Sequence, residues 1–312
     1  MKNITIVAPT FNEELIISKF LDEILRITNS IDNYNFDIII IDNASIDKTQ
    51  EILRSYAKKF KRIKLIFNVK NFGHIRSPYW GVMQSNSDAV IYLVSDMQEP
   101  PLLIPEFIKA WEDGYKVVYG VKSSSEKDSF IISLCRKFFY CLISSISSSN
   151  LVPNATGFGL YDKKIIEVIK KINDPYPYFR GLVADIGYPI KKIDYIQNAR
   201  KYGKSKNNFF TLYDIAILGI INHSAVPLRL CSFIGLVIGL VSFLIGLYYL
   251  VYKIIFWDAF SIGMAPLLIF ILFLFGALFF FMGVIGEYLI SITRYVNKKP
   301  IVIERERVNF DK

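Results

Sequence analysis

The sequence contains little cysteine, and its three thiols, Cys135, Cys141 and Cys231, have neither metal-ligand spacing nor an even count. This pattern predicts a reducing compartment and thiols that serve packing. The chain also lacks a Gly-x-Gly-x-x-Gly or Walker sequence, which excludes the usual NAD and P-loop sites. It carries no nucleic-acid-binding motif, so the formal net charge of +9 predicts contact with anionic lipid and no nucleic-acid partner.

Two long apolar stretches carry no charge at all. They cover residues 230–252 and 259–286 in a chain whose mean hydropathy is +0.33. Each is long enough to cross a hydrocarbon core of about 30 Å. The sequence therefore predicts a transmembrane hairpin over 228–293, with helices at about 230–254 and 262–290.

The charges that flank these stretches predict their orientation. Arg229 precedes the first stretch, and the loop between the two carries only Lys253 and Asp258. Five basic residues follow the second stretch: Arg294, Lys298, Lys299, Arg305 and Arg307. The positive-inside rule then places both termini and a basic tail, 294–312, on the cytoplasmic side of the inner membrane.

The first 200 residues alternate short apolar runs with helical patterns. Runs typical of buried strands cover 4–8, 36–41, 63–67, 89–94 and 116–121. Apolar residues at helical spacing occupy 13–28, 47–59 and 75–86. This alternation predicts βαβ units around a mostly parallel sheet with helices on both faces, within a domain over 1–207.

Two of the predicted strands end at a carboxylate. Asp42 closes the second strand, and Asp96 follows the fourth. Ligands of open α/β sheets bind at the carboxyl ends of strands, where Asp96 could offer oxygen to a hard divalent cation. An alternative is that Asp96 or Glu99 caps the helix that starts at Pro100. This stretch alone leaves both interpretations open.

Four motifs in order carry a family resemblance. They are Pro9-Thr10-Phe11-Asn12-Glu13-Glu14, Asp42-Asn43-Ala44-Ser45 with Asp47, Asn71-Phe72-Gly73, and Asp96-Met97-Gln98-Glu99-Pro100-Pro101. The chain resembles family 2 glycosyltransferases with the GT-A fold, and within them the polyprenyl-phosphate glycosyltransferases such as bactoprenol glucosyltransferases and dolichyl-phosphate mannose synthases. The resemblance covers nearly the whole chain and implies a mixed, mostly parallel Rossmann-like sheet.

The resemblance implies a donor site for a nucleoside diphosphate sugar. Residues of the family that match Pro9, Asn12, Glu14 and Asp42 line the nucleotide pocket. Further expected donor contacts are Asn71, Gly73, Arg76, Ser95, Gln98 and Ser205. The family's metal-binding Asp-x-Asp motif begins here with Val94, so Asp96 alone is expected to reach Mg²⁺ or Mn²⁺. One carboxylate is sufficient, because Mg²⁺ keeps several waters and takes phosphate oxygens as ligands.

The expected acceptor side lacks the family's usual carboxylate, which aligns with Gly157. A sugar hydroxyl needs a base to remove its proton, whereas a lipid phosphate is already ionised. The sequence therefore favours polyprenyl phosphate as acceptor, held by Arg180, Arg200 and Lys206. A solvated basic loop beside the membrane is the alternative interpretation of residues 198–206.

The leading hypothesis is an inverting transferase that moves a sugar from a UDP-sugar to undecaprenyl phosphate. An amphipathic helix over 208–227 would lay it on the cytoplasmic leaflet of the bilayer, and related proteins imply a homo-oligomer. One alternative is a hydroxyl acceptor with Asp162 or Asp185 as base. Another is a degenerate nucleotide-sugar-binding scaffold, suggested by Val94 and Gly157.

Overall fold

The described residues form two compact units. The computed structural model describes residues 1–125, 152–197, 226–256, 264–297 and 299–310. One unit is an α/β domain in which residues 299–310 join the N-terminal part of the chain, and the other contains two long helices. The predicted amphipathic helix lies outside the described residues except for its last two positions.

Eight strands build the sheet of the α/β domain. They are β1 (Lys2–Thr10), β2 (Tyr34–Asp42), β3 (Ile63–Asn68), β4 (Ala89–Tyr92), β5 (Val117–Ser125), β6 (Ala155–Asp162), β7 (Ile190–Gln197) and β8 (Glu304–Val308). Their order is β7-β5-β6-β4-β1-β2-β3-β8. β1 pairs in parallel with β2 and β4, β2 with β3, and β5 with β7, whereas β6 and β8 run antiparallel to their neighbours.

Helices cover both faces of this sheet. They are α1 (Ile17–Asn29), α2 (Thr49–Lys59), α3 (Gly73–Met83), α4 (Ile104–Glu112), α5 (Lys163–Ile172) and α6 (Phe179–Ile186). One core packs α1, α2 and α4 against Ile4, Ile6 and Ala8 of β1. The other packs α3, α5 and α6 against the opposite face, including Val7. Because central parallel strands are buried on both faces, they appear in sequence as continuous apolar runs. The predicted mixed sheet with helices on both faces is confirmed.

The strand directions define one functional edge. Thr10 and Asp42 pair at the ends of β1 and β2, and the parallel β4 ends at the same edge. Antiparallel β6 starts there with Ala155 and runs away from it, so that Asp162 pairs with Ala89 at the opposite edge. The topology thus separates Ala155 and Asp162 by the length of the strand.

Part of the predicted basic tail folds back onto the sheet as β8. The strand pairs antiparallel with β3, and Ile301 and Val302 just before it are buried. The Glu-Arg-Glu-Arg-Val sequence has no alternation of apolar and polar residues that would predict a strand. Charged side chains suit an edge strand, which takes its stability from backbone pairing along one side.

The second unit contains α7 (Val226–Ile255) and α8 (Met264–Val296). Within α8, Leu274–Thr293 is long and apolar enough to cross a membrane, with a mean hydropathy of 1.9. In α7, the described apolar stretch Val226–Ile238 is shorter than a span. The described residues therefore support one candidate membrane helix, and the second stays a prediction.

Candidate active site

A cavity of about 340 Å³ opens at the carboxyl edge of β1, β2 and β4. Five of the predicted donor contacts line it: Pro9, Asn71, Gly73, Ser95 and Asp96. The cavity is also lined by Phe11, Asn43 and Tyr92, which were not among the predicted contacts. Phe11 and Asn43 directly follow β1 and β2, and Tyr92 is the last residue of β4. Their positions at strand ends could therefore have predicted them.

Two residues predicted to line the nucleotide pocket, Asn12 and Glu14, instead connect two loops. They form hydrogen bonds between the loop that follows β1 and the loop that follows β2. The Asn12 amide donates to Ser45 Oγ at 2.8 Å, and Asn12 Oδ1 accepts from the backbone of Ile46 at 2.9 Å. Glu14 accepts from the backbone of Lys48 at 3.0 Å. Asn12 has a φ of 55°, which asparagine tolerates better than most residues. Neither residue lines the cavity, and both side chains hold the two loops together.

Asp42 is fully buried at the end of β2, opposite Thr10, which lines the cavity. Its Oδ2 accepts from the backbone of Ser45 at 3.1 Å and from Gln50 Nε2 at 2.8 Å. Its Oδ1 and the hydroxyl of Thr10, its strand partner, are buried without a partner among the described residues. Burial raises the pKa of Asp42. Unpaired buried polar atoms are costly, so they favour a ligand that completes the hydrogen bonding.

A cluster of three asparagines supports the next loop. Asn43 Nδ2 donates to Asn71 Oδ1 at 2.7 Å, while Asn43 Oδ1 accepts from the backbone of Phe72 at 2.9 Å. Asn68 Nδ2 donates to the same Asn43 oxygen at 3.1 Å. Side-chain amides in such a network hold irregular backbone that strand pairing cannot reach. The network positions Gly73, whose φ is +83°, at the start of α3.

Asp96 stands on the turn after β4. Its Oδ1 accepts from the backbone of Gln98 at 3.1 Å, and the neighbouring Ser95 hydroxyl donates to the carbonyl of Pro9 at 2.9 Å. No side chain caps the following 3₁₀ turn, Pro101–Leu103, or α4, so the helix-cap alternative is wrong. The turn instead holds the carboxylate of Asp96 at the cavity wall.

The donor set at Asp96 fits one kind of metal site. Within the ranges that the structure describes, no three His, Cys, Asp or Glu residues cluster as metal ligands. A single carboxylate suits a cation that keeps its waters and takes its remaining ligands from a diphosphate, as Mg²⁺ does. The site therefore fits a metal that arrives with its nucleotide.

Glu99 ties β4 to β6 behind Asp96. It is 3% exposed, and it accepts hydrogen bonds from the backbone of Val94 at 2.9 Å and from the Thr156 hydroxyl at 2.6 Å. Burial raises the pKa of Glu99 to about 7 despite these bonds, and the charge of Asp96 adds to the increase. The Glu99 carboxylate therefore has a structural role, because it links the turn after β4 to β6.

A pH-dependent stability is expected from Glu99. Its pKa in the folded protein exceeds the ordinary 4.5, so the folded state binds more protons between about pH 4.5 and 7 and loses stability as the pH rises. The loss amounts to about 3 kcal/mol. We expect Glu99→Gln to melt above the wild type at pH 8 but not at pH 5. Thermal unfolding in detergent measures this, with the exposed Glu106→Gln as control. Parallel curves for Glu99→Gln and wild type would contradict it.

A second cavity, of about 240 Å³, adjoins the first. Thr156, Tyr178 and Arg180 line it, and the two cavities share His74, Pro78 and Tyr92. We name them the donor cavity, which contains Asp96, and the acceptor cavity, which contains Arg180. The shared residues make the two cavities neighbours, as sites for two reacting molecules must be.

Arg180 is positioned by the start of α6. Its guanidinium donates to the carbonyl of Ala155 and lies 5.2 Å from the ring centroid of Tyr178. A backbone bond and a stacked ring hold a planar guanidinium in one orientation. Arg180 therefore presents a fixed positive charge to the acceptor cavity.

Gly157 lies beside three residues that line the same cavity, Tyr92, Phe179 and Arg180. It has a φ of +99°, and a Cβ built at this position would lie 3.6 Å from the Tyr92 ring and 3.9 Å from Cγ of Arg180. A side chain at this position would start among Tyr92, Phe179 and the aliphatic part of Arg180. The glycine leaves that space open and leaves the guanidinium without a carboxylate from residue 157.

The two alternative base residues lie elsewhere. Asp162 caps α5 by accepting from the backbone of Lys164 at 3.0 Å, and it also accepts from Trp111 Nε1 at 2.7 Å. An ion pair with Lys116 at 3.1 Å helps to lower its pKa. It sits at the edge opposite the cavities, and Asp185 is exposed on α6 and lines neither cavity.

Three further predicted contacts fall on residues outside the described ranges: Arg200, Ser205 and Lys206. Arg76 contacts the C-terminal segment instead of a cavity, since its guanidinium donates to the carbonyl of Pro300 at 2.7 Å and lies 5.1 Å from the Phe72 ring centroid. Gln98 contributes its backbone amide to Asp96.

Comparison with known proteins assigns the family. The profile "Glycosyl transferase family 2" matches residues 5–170. The chain is 30% identical over 297 residues to the SfII prophage-derived bactoprenol glucosyl transferase of Shigella flexneri, covering 95% of this chain and 96% of that protein. It is 28% identical over 299 residues to an uncharacterized glycosyltransferase of Bacillus subtilis, covering 96% and 92%.

A solved structure with a similar fold is mannosyl-3-phosphoglycerate synthase from Rubrobacter xylanophilus, at a TM-score of 0.46 and 15% identity, covering 73% of this chain and 74% of that one. The profile spans more than half of the chain, and the Shigella flexneri relative matches nearly end to end. This protein is a glycosyltransferase and belongs to glycosyltransferase family 2.

Proposed function

We propose that this enzyme transfers a sugar from a uridine diphosphate sugar to polyprenyl phosphate, with inversion at the anomeric carbon. The observation that carries the proposal is the pair of adjoining cavities, one presenting Asp96 and the other Arg180. The name of the Shigella flexneri relative, a bactoprenol glucosyl transferase, supports a lipid-phosphate acceptor.

The donor cavity supplies contacts for the nucleotide. Thr10 lines this cavity, and its hydroxyl and the Oδ1 atom of its strand partner Asp42 are an unpaired donor and an unpaired acceptor that would contact the nucleoside. Asp96 would hold Mg²⁺ or Mn²⁺ against the diphosphate, and the cation would supply positive charge to the leaving group. The Gln98 amide keeps the carboxylate of Asp96 in its turn, so the ligand is preorganised.

The acceptor cavity suits an anion that needs no deprotonation. Arg180 would hold the lipid phosphate so that one of its oxygens attacks the anomeric carbon. The new carbon–oxygen bond forms as the bond to the nucleoside diphosphate breaks, and the electron pair leaves with the diphosphate. No proton is transferred, which agrees with glycine at position 157 facing Arg180.

Membrane attachment would bring the lipid to this site. The apolar helix Leu274–Thr293 is one anchor, and we propose the stretch around 230–254 as the second span, with the α/β domain on the cytoplasmic leaflet. We also propose a homo-oligomer packed through these helices. Crosslinking in native membranes and protease accessibility of the α/β domain in inverted vesicles test these two points.

A transfer assay tests the function itself. Purified full-length protein with labelled UDP-sugars and undecaprenyl phosphate is expected to form a labelled lipid, which mild acid releases as free sugar because the product is a glycosyl phosphodiester. An acid-stable glycoside would instead indicate a hydroxyl acceptor. UDP binding by calorimetry without turnover on any common sugar would indicate a scaffold and overturn the proposal.

A further inference from the structure

A β-bulge interrupts the pairing of β8 with β3. Phe67 of β3 pairs with Glu306, but the next residue, Asn68, pairs with Glu304. Arg305 is therefore the extra residue, without a pairing position of its own. Bulges commonly re-aim one side chain near a functional site.

The bulge turns Arg305 toward α2. Neighbouring residues of a regular strand point to opposite faces of the sheet. Here Glu306 forms a bidentate ion pair with Arg54 of α2 at 2.6 and 2.7 Å, and Arg305 also contacts α2, donating to Gln50 at 2.7 Å. Both guanidinium groups lie over the Phe67 ring, at 4.4 Å for Arg54 and 5.8 Å for Arg305. Without the bulge, Arg305 would point away from α2.

Gln50 connects Arg305 to Asp42. Arg305 binds its Oε1, which leaves the Nε2 group to donate to Asp42 Oδ2 at 2.8 Å and to the carbonyl of Ser45 at 2.9 Å. A side-chain amide can be rotated by 180° with little change in shape, so its hydrogen-bond partners decide which end faces Asp42. A cation on Oε1 selects the orientation in which the nitrogen faces the carboxylate.

The chain of contacts from Arg305 ends at Asp42, whose Oδ1 atom has no hydrogen-bond partner among the described residues. Asp42 is fully buried, and with Oδ2 taken by Gln50 and Ser45, its Oδ1 has no partner among the described residues. The positive charge of Arg305 also opposes the effect of burial on the Asp42 carboxyl, whose pKa is raised. With Oδ2 held by Gln50 and Ser45, Oδ1 is the Asp42 atom left as a hydrogen-bond acceptor for a ligand.

We propose that Arg305 is a positioning residue for donor binding, which acts through Gln50 to orient Asp42. The C-terminal strand would thereby complete the nucleotide site from about 260 residues away in sequence. The inference rests on the proposed function, because it takes Asp42 as a nucleoside contact.

Calorimetric titration of the full-length protein in detergent with UDP and Mg²⁺ tests this inference. Arg305→Gln is expected to raise the Kd for UDP about fivefold. The effect is this size because the lost charge-assisted hydrogen bond acts on Asp42 indirectly, through Gln50. Gln50→Ala is expected to do at least as much. The double variant should match Gln50→Ala alone, because removal of Gln50 disconnects Arg305 from Asp42. In turnover, Arg305→Gln should raise KM for the UDP-sugar and leave kcat and KM for the lipid within twofold.

The matched control is Arg307→Gln on the same strand. Arg307 contacts Glu304 and Gln84, the residue that follows α3, and it has no hydrogen bond to Gln50. It should leave the Kd for UDP unchanged. Unchanged UDP binding by Arg305→Gln, equal weakening by Arg307→Gln, or additive effects in the double variant would each overturn the inference and leave the proposed function standing. A wild type that binds no UDP would overturn the uridine donor and the inference together.

Discussion

Replacement of Asp96 by asparagine is expected to lower kcat/KM about a thousandfold. The substitution keeps an oxygen that can accept from the Gln98 amide, so the turn should retain its shape. It removes the negative charge that would bind a divalent cation, and within the described residues no cluster of further carboxylates replaces it. Loss of preorganised charge stabilisation at a leaving group typically costs two to three orders of magnitude.

Metal dependence separates this effect from damage to the fold. The concentration of Mg²⁺ or Mn²⁺ for half-maximal rate should rise in Asp96→Asn, while the melting temperature stays near that of the wild type. Asp37→Asn is the control, since Asp37 pairs with Lys64 at 2.7 Å and lines neither cavity. If Asp96→Asn retained activity within twofold at all metal concentrations, the metal role of this residue would be refuted.

A carboxylate at position 157 is expected to lower kcat/KM for polyprenyl phosphate about a hundredfold. In Gly157→Asp, the new side chain would start 3.9 Å from Cγ of Arg180 and neutralise the guanidinium. It would also repel the phosphate, and a like charge at such distances costs about 3 kcal/mol near a protein surface. This cost corresponds to about a hundredfold in rate.

Gly157→Asn isolates the charge in that experiment. Asparagine has nearly the shape of aspartate and meets the same backbone strain at a φ of +99°. We expect it to lower activity by about tenfold at most, so the ratio between the two variants reports electrostatics. The UDP affinity of both should equal that of wild type. Equal activity of the aspartate and asparagine variants would show that the charge facing Arg180 does not matter to the acceptor.

Several elements were predictable because their signal is local. Apolar runs predicted the central parallel strands, since such strands are buried on both faces. The position of Asp96 at the cavity was predictable because a turn after a buried strand opens at the ligand-binding edge. The glycine at 157 was visible in sequence as a missing carboxylate, and the structure adds that this position faces Arg180.

The sequence by itself determined the βαβ alternation, the family and the turn that carries Asp96. Tertiary structure alone decided which motif residues reach the cavity, because Asn12 and Glu14 bond to a loop more than thirty residues away. It also decided that Arg76 turns to Pro300 and that the charged segment Glu304–Val308 becomes a strand. These contacts join residues more than 200 positions apart, and neither local periodicity nor motif spacing encodes such pairings.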